Sequence, residues 1–338
     1  MEGFLLPGFG TRIASRRGSG GAVAAVAAVL AVAVLSADAV GAGFPVSVTD
    51  DRGVVVRMPR APERVVSLAP SLTEIVFLLG MQGRLAGVTR FCDHPPEASA
   101  LPRVGGIVDP DLERIVAARP DLVLCTTDGN PKEKVNVLEE MGIPCFAVGP
   151  QDLRAVLDAI ERIGTLLGVP EKARRETGSL RARMARVSRP EACGPNGTGP
   201  PEESGRIAPR VLFAVSTSPV IVAGKGTFLD EMIRISGGNN AAGSFSGRYP
   251  RLSAEDLVAA SPDIILVAAM AGVERFPEAL TRWKEIPAFR DGEVRSLDGD
   301  LVTRPGPRMV DALEEVSRIL AGWCSRKAPA RTAGGRAR

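Results

Sequence analysis

A phrase that occurs twice constrains this chain more than any other feature. Leu112-Glu-Arg-Ile-Val-Ala-Ala-Arg-Pro-Asp-Leu-Val-Leu and Leu252-Ser-Ala-Glu-Asp-Leu-Val-Ala-Ala-Ser-Pro-Asp-Ile-Ile-Leu each read as a helix, a Pro-Asp stop and an apolar strand. Each carries one glutamate near the helix start, Glu113 and Glu255. A helix delivered into a wholly apolar strand belongs to a parallel sheet covered on both faces. The chain has 338 residues, enough for two domains of the usual ~100–150. The repeat therefore predicts two pseudo-equivalent α/β lobes with a cleft between them.

The surrounding sequence fits that architecture. Val46–Arg57 alternates apolar and polar around Asp-Arg-Gly and reads as a β-hairpin, with the Asp50-Asp51 pair in a turn that needs only solvent. Arg64–Ala69 is a short strand. In the helix that follows, Ser71 and Glu74 have capping-box spacing and Gly80 supplies the stop. Strands at Leu85, Leu122 and Ile143 alternate with helices at 110–119 and 131–141. In the second half, strands at Arg210, Val220, Pro262 and Val294 alternate with helices at 227–236, 253–260 and 307–323. Between the halves, Asp152–Leu167 is one helix, and Gly168-Val-Pro170 restarts another that runs to Val187. Its eighteen residues, at ~1.5 Å each, span roughly 27 Å, the length of a strut between lobes. The predicted division is a signal peptide over 1–42, an N-terminal lobe over 43–168, the linker helix over 169–187, a Pro/Gly/Glu-rich flexible loop over 188–209, a C-terminal lobe over 210–325 and a disordered basic tail over 326–338.

Arg12, Arg16 and Arg17 precede the apolar run Gly21–Leu35, with small residues at its exit. That is the pattern of a secretory signal, with cleavage expected after Ala39 or Ala42, or else of an uncleaved anchor. No cysteine follows the run, which argues against lipid attachment, so the mature chain is expected free in a periplasm-like space. The formal charge of +3 conceals a tail of +5 and a body of −3, a balance unlike that of a nucleic-acid binder. The cysteines at 92, 125, 145, 193 and 324 form no CxxC, so a structural zinc site is not expected. Cys125 and Cys145 either pair with each other or remain two buried thiols, and the odd count leaves at least one free or bridging between chains.

Catalytic readings fail one after another. With His94 as the single histidine, a multi-histidine metal site cannot form, and no G-x-S-x-G elbow supports a serine triad. Ala223-Gly-Lys-Gly-Thr lacks phosphate-loop spacing and is a glycine turn feeding a helix. No catalytic or metal-binding constellation is expected, and no cofactor.

Several phrases taken together resemble the periplasmic binding proteins for vitamin B12 and ferric siderophores, and most of all the vitamin B12-binding branch. They are Arg64-Val-Val-Ser-Leu-Ala-Pro-Ser-Leu-Thr-Glu-Ile, Phe91-Cys-Asp-His-Pro-Pro-Glu, Ala223-Gly-Lys-Gly-Thr-Phe-Leu-Asp, Tyr249-Pro-Arg-Leu-Ser-Ala-Glu and Arg304-Pro-Gly-Pro-Arg. The match covers roughly residues 45–323 in order. The resemblance implies two α/β lobes on one rigid helix, a small-molecule ligand in the cleft, and delivery to an ABC importer permease and its ATPase by a monomer. It implies ligand contacts at Phe91, Tyr249, Asp300 and Arg304, the two rings sandwiching a flat macrocycle. It also implies docking of Glu113 and Glu255 onto permease arginines; read without it, these are exposed helix-start glutamates favoured by the helix dipole. Ile107 and Thr126 stand where the B12 pattern has bulky rings. The ligand is therefore a cobalamin-like corrinoid or, alternatively, haem or a ferric siderophore, for which Arg90, Arg248, Arg251 and Arg304 are available.

Overall fold

The computed structural model describes residues 43–187, 208–269 and 283–327. The expected signal peptide, nearly all of the 188–209 loop and the tail beyond 327 lie outside these residues.

Two sheets form the body. Strands β3 (Val65–Ser67), β4 (Leu85–Val88), β5 (Leu122–Thr126) and β6 (Cys145–Val148) make a fully parallel sheet in the order β4-β3-β5-β6. Strands β7 (Arg210–Thr217), β8 (Val220–Val222), β10 (Ile264–Ala269) and β11 (Val294–Asp298) make the second, in the order β11-β10-β7-β8, and β9 (Asn239–Asn240) pairs with the start of β7. Among the described residues only β8 in this sheet runs antiparallel. Helices α1 (Pro70–Leu78), α2 (Leu112–Ala117), α3 (Lys132–Glu140) and α4 (Leu153–Leu166) belong to the first lobe. Helices α6 (Phe228–Ile235), α7 (Ala254–Ala260), α8 (Pro287–Arg290), α9 (Gly299–Thr303) and α10 (Met309–Lys327) belong to the second. The linker α5 spans Pro170–Val187, as its restart signal predicts.

The repeated phrase folds the same way twice. A non-glycine residue with left-handed backbone follows both helices: Arg119 at φ 46°, one past the Ala118 cap of α2, and Ser261 at φ 40°, the cap of α7. Such a conformation costs roughly 1–2 kcal/mol and must be held from outside. Asp121 accepts hydrogen bonds from the backbone N–H groups of Glu63 and Arg64 (2.8 and 2.9 Å), and the Arg64 guanidinium donates to the Ala118 carbonyl at the helix end. In the second lobe Asp263 accepts from the Arg210 N–H at 2.9 Å, and the Arg210 guanidinium donates to the Ala260 carbonyl. Pro-Asp is thus a clip from a helix C-terminus to the neighbouring strand, β3 or β7.

The hairpin β1 (Val46–Thr49) and β2 (Val55–Met58) forms as expected, but its turn does not need only solvent. Asp50 is 4% exposed and accepts from Arg52, from the Val54 N–H and from the Ala147 N–H. Asp51 accepts from the Gly149 N–H and pairs with Arg162, while Arg52 donates to Glu139 and to the Cys145 carbonyl. β6 is the edge of the parallel sheet, and these groups satisfy its free backbone polar atoms, a standing hazard of edge strands. Burial opposes the Arg52 charge, but Glu139 and Asp50 raise its pKa overall.

The capping-box expectation for Ser71 and Glu74 is also corrected. Proline takes the first helical position, so the helix starts two residues earlier, at an Ala69 cap with no side-chain bond. Ser71 and Glu74 are then buried residues of the helix, free to meet the other lobe. At the C-terminus, α10 continues to Lys327. Arg326 and Lys327, expected in the disordered tail, pair with Glu293 and Asp291 at 2.7 and 2.9 Å. Cys92, Cys125 and Cys145 are buried free thiols and Cys324 is disulfide-bonded. On adjacent strands Cys125 sits opposite Ala147 and Cys145 opposite Val123, so the two thiols are out of register. Burial pushes the Cys125 thiol up to about 12 and the Cys145 thiol higher.

One hydrophobic cluster runs through both lobes, from Leu72, Phe146 and Ile160 through Ala173 and Leu180 of α5 to Phe213, Val310 and Trp323. Polar contacts reinforce the strut: Thr177 donates to Glu161 at 2.7 Å, and Arg183 forks onto Glu314 (2.9 and 2.8 Å).

Candidate functional site at the lobe junction

In open α/β sheets, ligand-contacting loops lie beyond the carboxyl ends of the strands. Here those ends converge from both sheets. β3 leads into α1, β4 into the loop that holds Phe91 and Asp93, β5 into Thr127–Asn130, and β11 into α9 and Arg304.

The floor of the junction is ionic. Arg308 grips Glu74 with two hydrogen bonds, 3.0 and 2.7 Å, across 234 residues of sequence. Arg304 donates to Asp93 at 2.7 Å, pairs with Asp300 at 2.8 Å and lies 3.8 Å from Glu74. Three carboxylates thus face two guanidinium groups. The hydrogen bond from Arg304 holds the Asp93 carboxyl below its usual range. Burial works against the Arg304 charge, but Asp93, Asp300 and Glu74 outweigh it and raise its pKa. Between the two arginines, Gly306 packs on Ser71, where a Cβ would come within 3.2 Å of the serine Cβ. The backbones of the two lobes touch here.

Phe91 and Tyr249, the two candidate ligand rings, are half-exposed at 43% and 45%. The loop holding Phe91 is anchored beneath by the buried Cys92 thiol, which meets the Thr73 and Thr89 hydroxyls at 3.2 and 3.1 Å. Arg103 ties the Thr89 and Cys92 carbonyls. Arg90 lies over the Phe91 ring at 4.9 Å while its guanidinium holds Asp109. The loop holding Tyr249 is stapled to the second sheet through the Gly224 N–H to the Arg248 carbonyl, 2.8 Å, and the Val222 N–H to the Pro250 carbonyl, 3.1 Å. A Cβ on Gly224 would lie 2.4 Å from the Gly247 carbonyl oxygen, so that glycine serves close backbone approach. Burial raises the Tyr249 phenol, Arg248 lowers it, and the charge of Asp128 in the other lobe raises it again.

The structure brings Asp300 and Arg304 together as a pair and ties them to Asp93. The sequence reading did not single out Asp93, Glu74 or Arg308 as junction residues, nor buried Asn130. The Asn130 amide donates to the Leu68 and Ile107 carbonyls (3.1 and 2.8 Å) and accepts from the Thr126 N–H (2.7 Å). A polar residue at a β-strand exit was the available signal. His94 is exposed, and among the described residues no group of three or more His, Cys, Asp or Glu is placed to hold a metal. Glu113 and Glu255 are exposed in the first turns of α2 and α7 and have no ion-pair partner among the described residues. A surface groove of about 310 Å³ between β2 and the start of β6, lined by Val54, Val55, Glu139 and Ile143, lies apart from all of these groups.

A model of the family described as periplasmic binding protein matches residues 65–188 and 202–301. The chain is 30% identical over 282 residues to a substrate-binding lipoprotein of an ABC transporter from Bacillus subtilis, covering 82% of this chain and 86% of that one. It is 28% identical over 255 residues to a vitamin B12-binding protein of Vibrio parahaemolyticus, covering 75% and 88%. Among solved structures it is similar to a periplasmic heme-binding protein from a Roseiflexus species in apo form, with a TM-score of 0.66 at 28% identity, covering 78% of this chain and 99% of that one. These relatives are binding proteins rather than enzymes.

Proposed function

The chain belongs to the periplasmic binding protein family, and from that premise we propose that it captures a cobalamin-like corrinoid between its lobes and delivers it to an ABC importer. The observation that carries this reading is the pair of half-exposed rings, Phe91 and Tyr249, one on each lobe. Aromatic residues make up only 4% of the chain, so a ring left half-exposed on each lobe is an uncommon use of a scarce side-chain type. Two aromatic faces and a few polar groups suit a flat apolar macrocycle. Asp300 and Arg304 would supply the polar contacts. Arg304 is already shared among three carboxylates, so it is not an unshared anion anchor, which favours an amide-bearing corrinoid over a dicarboxylate such as haem.

Haem is the second reading. The likeness to the Roseiflexus protein supports it, as does Arg248, next to Tyr249 in the chain and in no ion pair among the described residues. In both readings Glu113 and Glu255 dock onto basic groups of the permease, since two separated charges fix orientation and speed encounter. The protein works as an exported monomer, freed of residues 1–39 or 1–42 by signal cleavage.

Spectroscopic titration with cyanocobalamin, haemin and a ferric siderophore tests the ligand. The expected result is cyanocobalamin binding near nanomolar, about −12 kcal/mol. Tight haemin binding with none for cyanocobalamin would overturn the corrinoid reading.

A further inference from the structure

The helices that carry Glu113 and Glu255 share more than the glutamate. Aligned on it, Glu113-Arg-Ile-Val-Ala-Ala and Glu255-Asp-Leu-Val-Ala-Ala agree at four of six positions. Exposure follows the same order. Ile115 and Leu257 are fully buried, Val116 and Val258 face outward at 40% and 36% exposed, and Ala117 and Ala259 are exposed beside them. Residues three apart are neighbours on a helix surface. Each lobe therefore shows a carboxylate without an ion-pair partner among the described residues, next to a small apolar patch.

Local stability does not account for these valines. β-Branched residues are weaker helix formers than the polar residues usual at exposed positions, and a half-exposed valine gains little from burial. One exposed valine on a surface needs no explanation. The same valine at the same offset from a glutamate with no ion-pair partner among the described residues, on two lobes whose sheets are built differently, does.

We propose that Val116 and Val258, with Ala117 and Ala259, are the apolar half of the permease-docking surface. Each lobe then presents a carboxylate and an apolar knob to a partner surface that pairs a basic side chain with a shallow apolar depression. A second copy of this chain does not fit, because a self-complementary contact at either patch sets glutamate beside glutamate. The inference rests on the docking reading of Glu113 and Glu255, and the two can fail separately.

The test is stimulation of ATP hydrolysis by the cognate permease–ATPase complex in proteoliposomes, titrated with full-length binding protein. Val116→Thr with Val258→Thr keeps the side-chain shape and removes one methyl from each knob; Val116→Ser with Val258→Ser removes more. Val54→Thr with Val55→Thr, exposed on the hairpin, is the control. The serine pair is expected to raise the half-maximal concentration about tenfold, the threonine pair less, and the hairpin pair not at all. The valine effect should persist at high salt, whereas that of Glu113→Gln with Glu255→Gln should shrink as exposed charges are screened. Thermal melts unchanged from wild type establish that the variants are folded. If the glutamine pair impairs stimulation but both valine pairs behave as wild type, the apolar contact is refuted and the docking reading stands. If the glutamine pair also behaves as wild type, the docking reading falls and takes this inference with it.

Discussion

The two lobes solve one backbone problem identically and another quite differently. At the helix-to-strand junctions, Asp121 with Arg64 and Asp263 with Arg210 make the same clip. At their sheets the lobes part company. The first sheet is wholly parallel and has its β6 edge plugged by the Asp50–Arg52 turn, whereas the second carries an antiparallel strand, β8, that staples the Tyr249 loop. A helix end needs the same few atoms wherever it occurs. A sheet edge and the loops beyond a sheet can be finished in many ways, and that freedom is where a ligand site is built.

The largest effect should come from the feature that only the first lobe has. Asp50→Ala leaves Arg52 and the Ala147 N–H without their buried acceptor, and should cost about 3 kcal/mol in urea unfolding. A loss within a few tenths would mean that the plug is ornamental. Next is the place where the lobes meet. Glu74→Gln removes the counter-charge and one of the two acceptors of the Arg308 guanidinium and should cost about 2 kcal/mol, with Arg308→Met partly restoring the double variant. Smaller, and a sharper measure of equivalence, are Asp121→Ala and Asp263→Ala, each about 1 kcal/mol. Asp121→Ala should be the worse of the two, because Asp121 holds two backbone N–H groups and Asp263 one. The reverse order would break the parallel between the clips. Smallest is the pH response of the Asp93–Arg304 link. The folded Asp93 pKa lies below its ordinary value, so its contribution is present above the unfolded pKa near 3.9 and is lost as pH falls through the lower folded value. Melting temperatures of wild type and Asp93→Asn should differ slightly at pH 6 and converge in strong acid; a gap that widens on acidification would reverse the assigned sign.

Much of this was legible in the residues. The parallel sheets followed from apolar strands delivered by helices, and the linker α5 from Pro170 and the run to Val187. The exposed starts of α2 and α7 followed from the repeated phrase. The misreadings have a common element, although at the start of α1 the local Pro70 also shifted the cap. Ser71 and Glu74 have capping-box spacing, Asp50 and Asp51 sit in a turn, and Arg326 and Lys327 open a basic run. Each local pattern was real, and in each case a distant partner decided the role: Arg308 for Glu74, Ala147 for Asp50, Glu293 for Arg326.

The sequence by itself determined the period of the longer strands and helices and the existence of two similar halves, because those depend on interactions within a few residues; the short elements β9, α8 and α9 carried no such signal. Only the tertiary structure decided that Arg304, already within one helical turn of Asp300, also reaches Asp93 and Glu74, and that Arg308 closes on Glu74. A charge leaves no periodic trace of its partner along the chain. Pairing across more than two hundred residues is fixed by which strand ends the folded sheets bring together, and by the cost of burying a charge with no counter-charge.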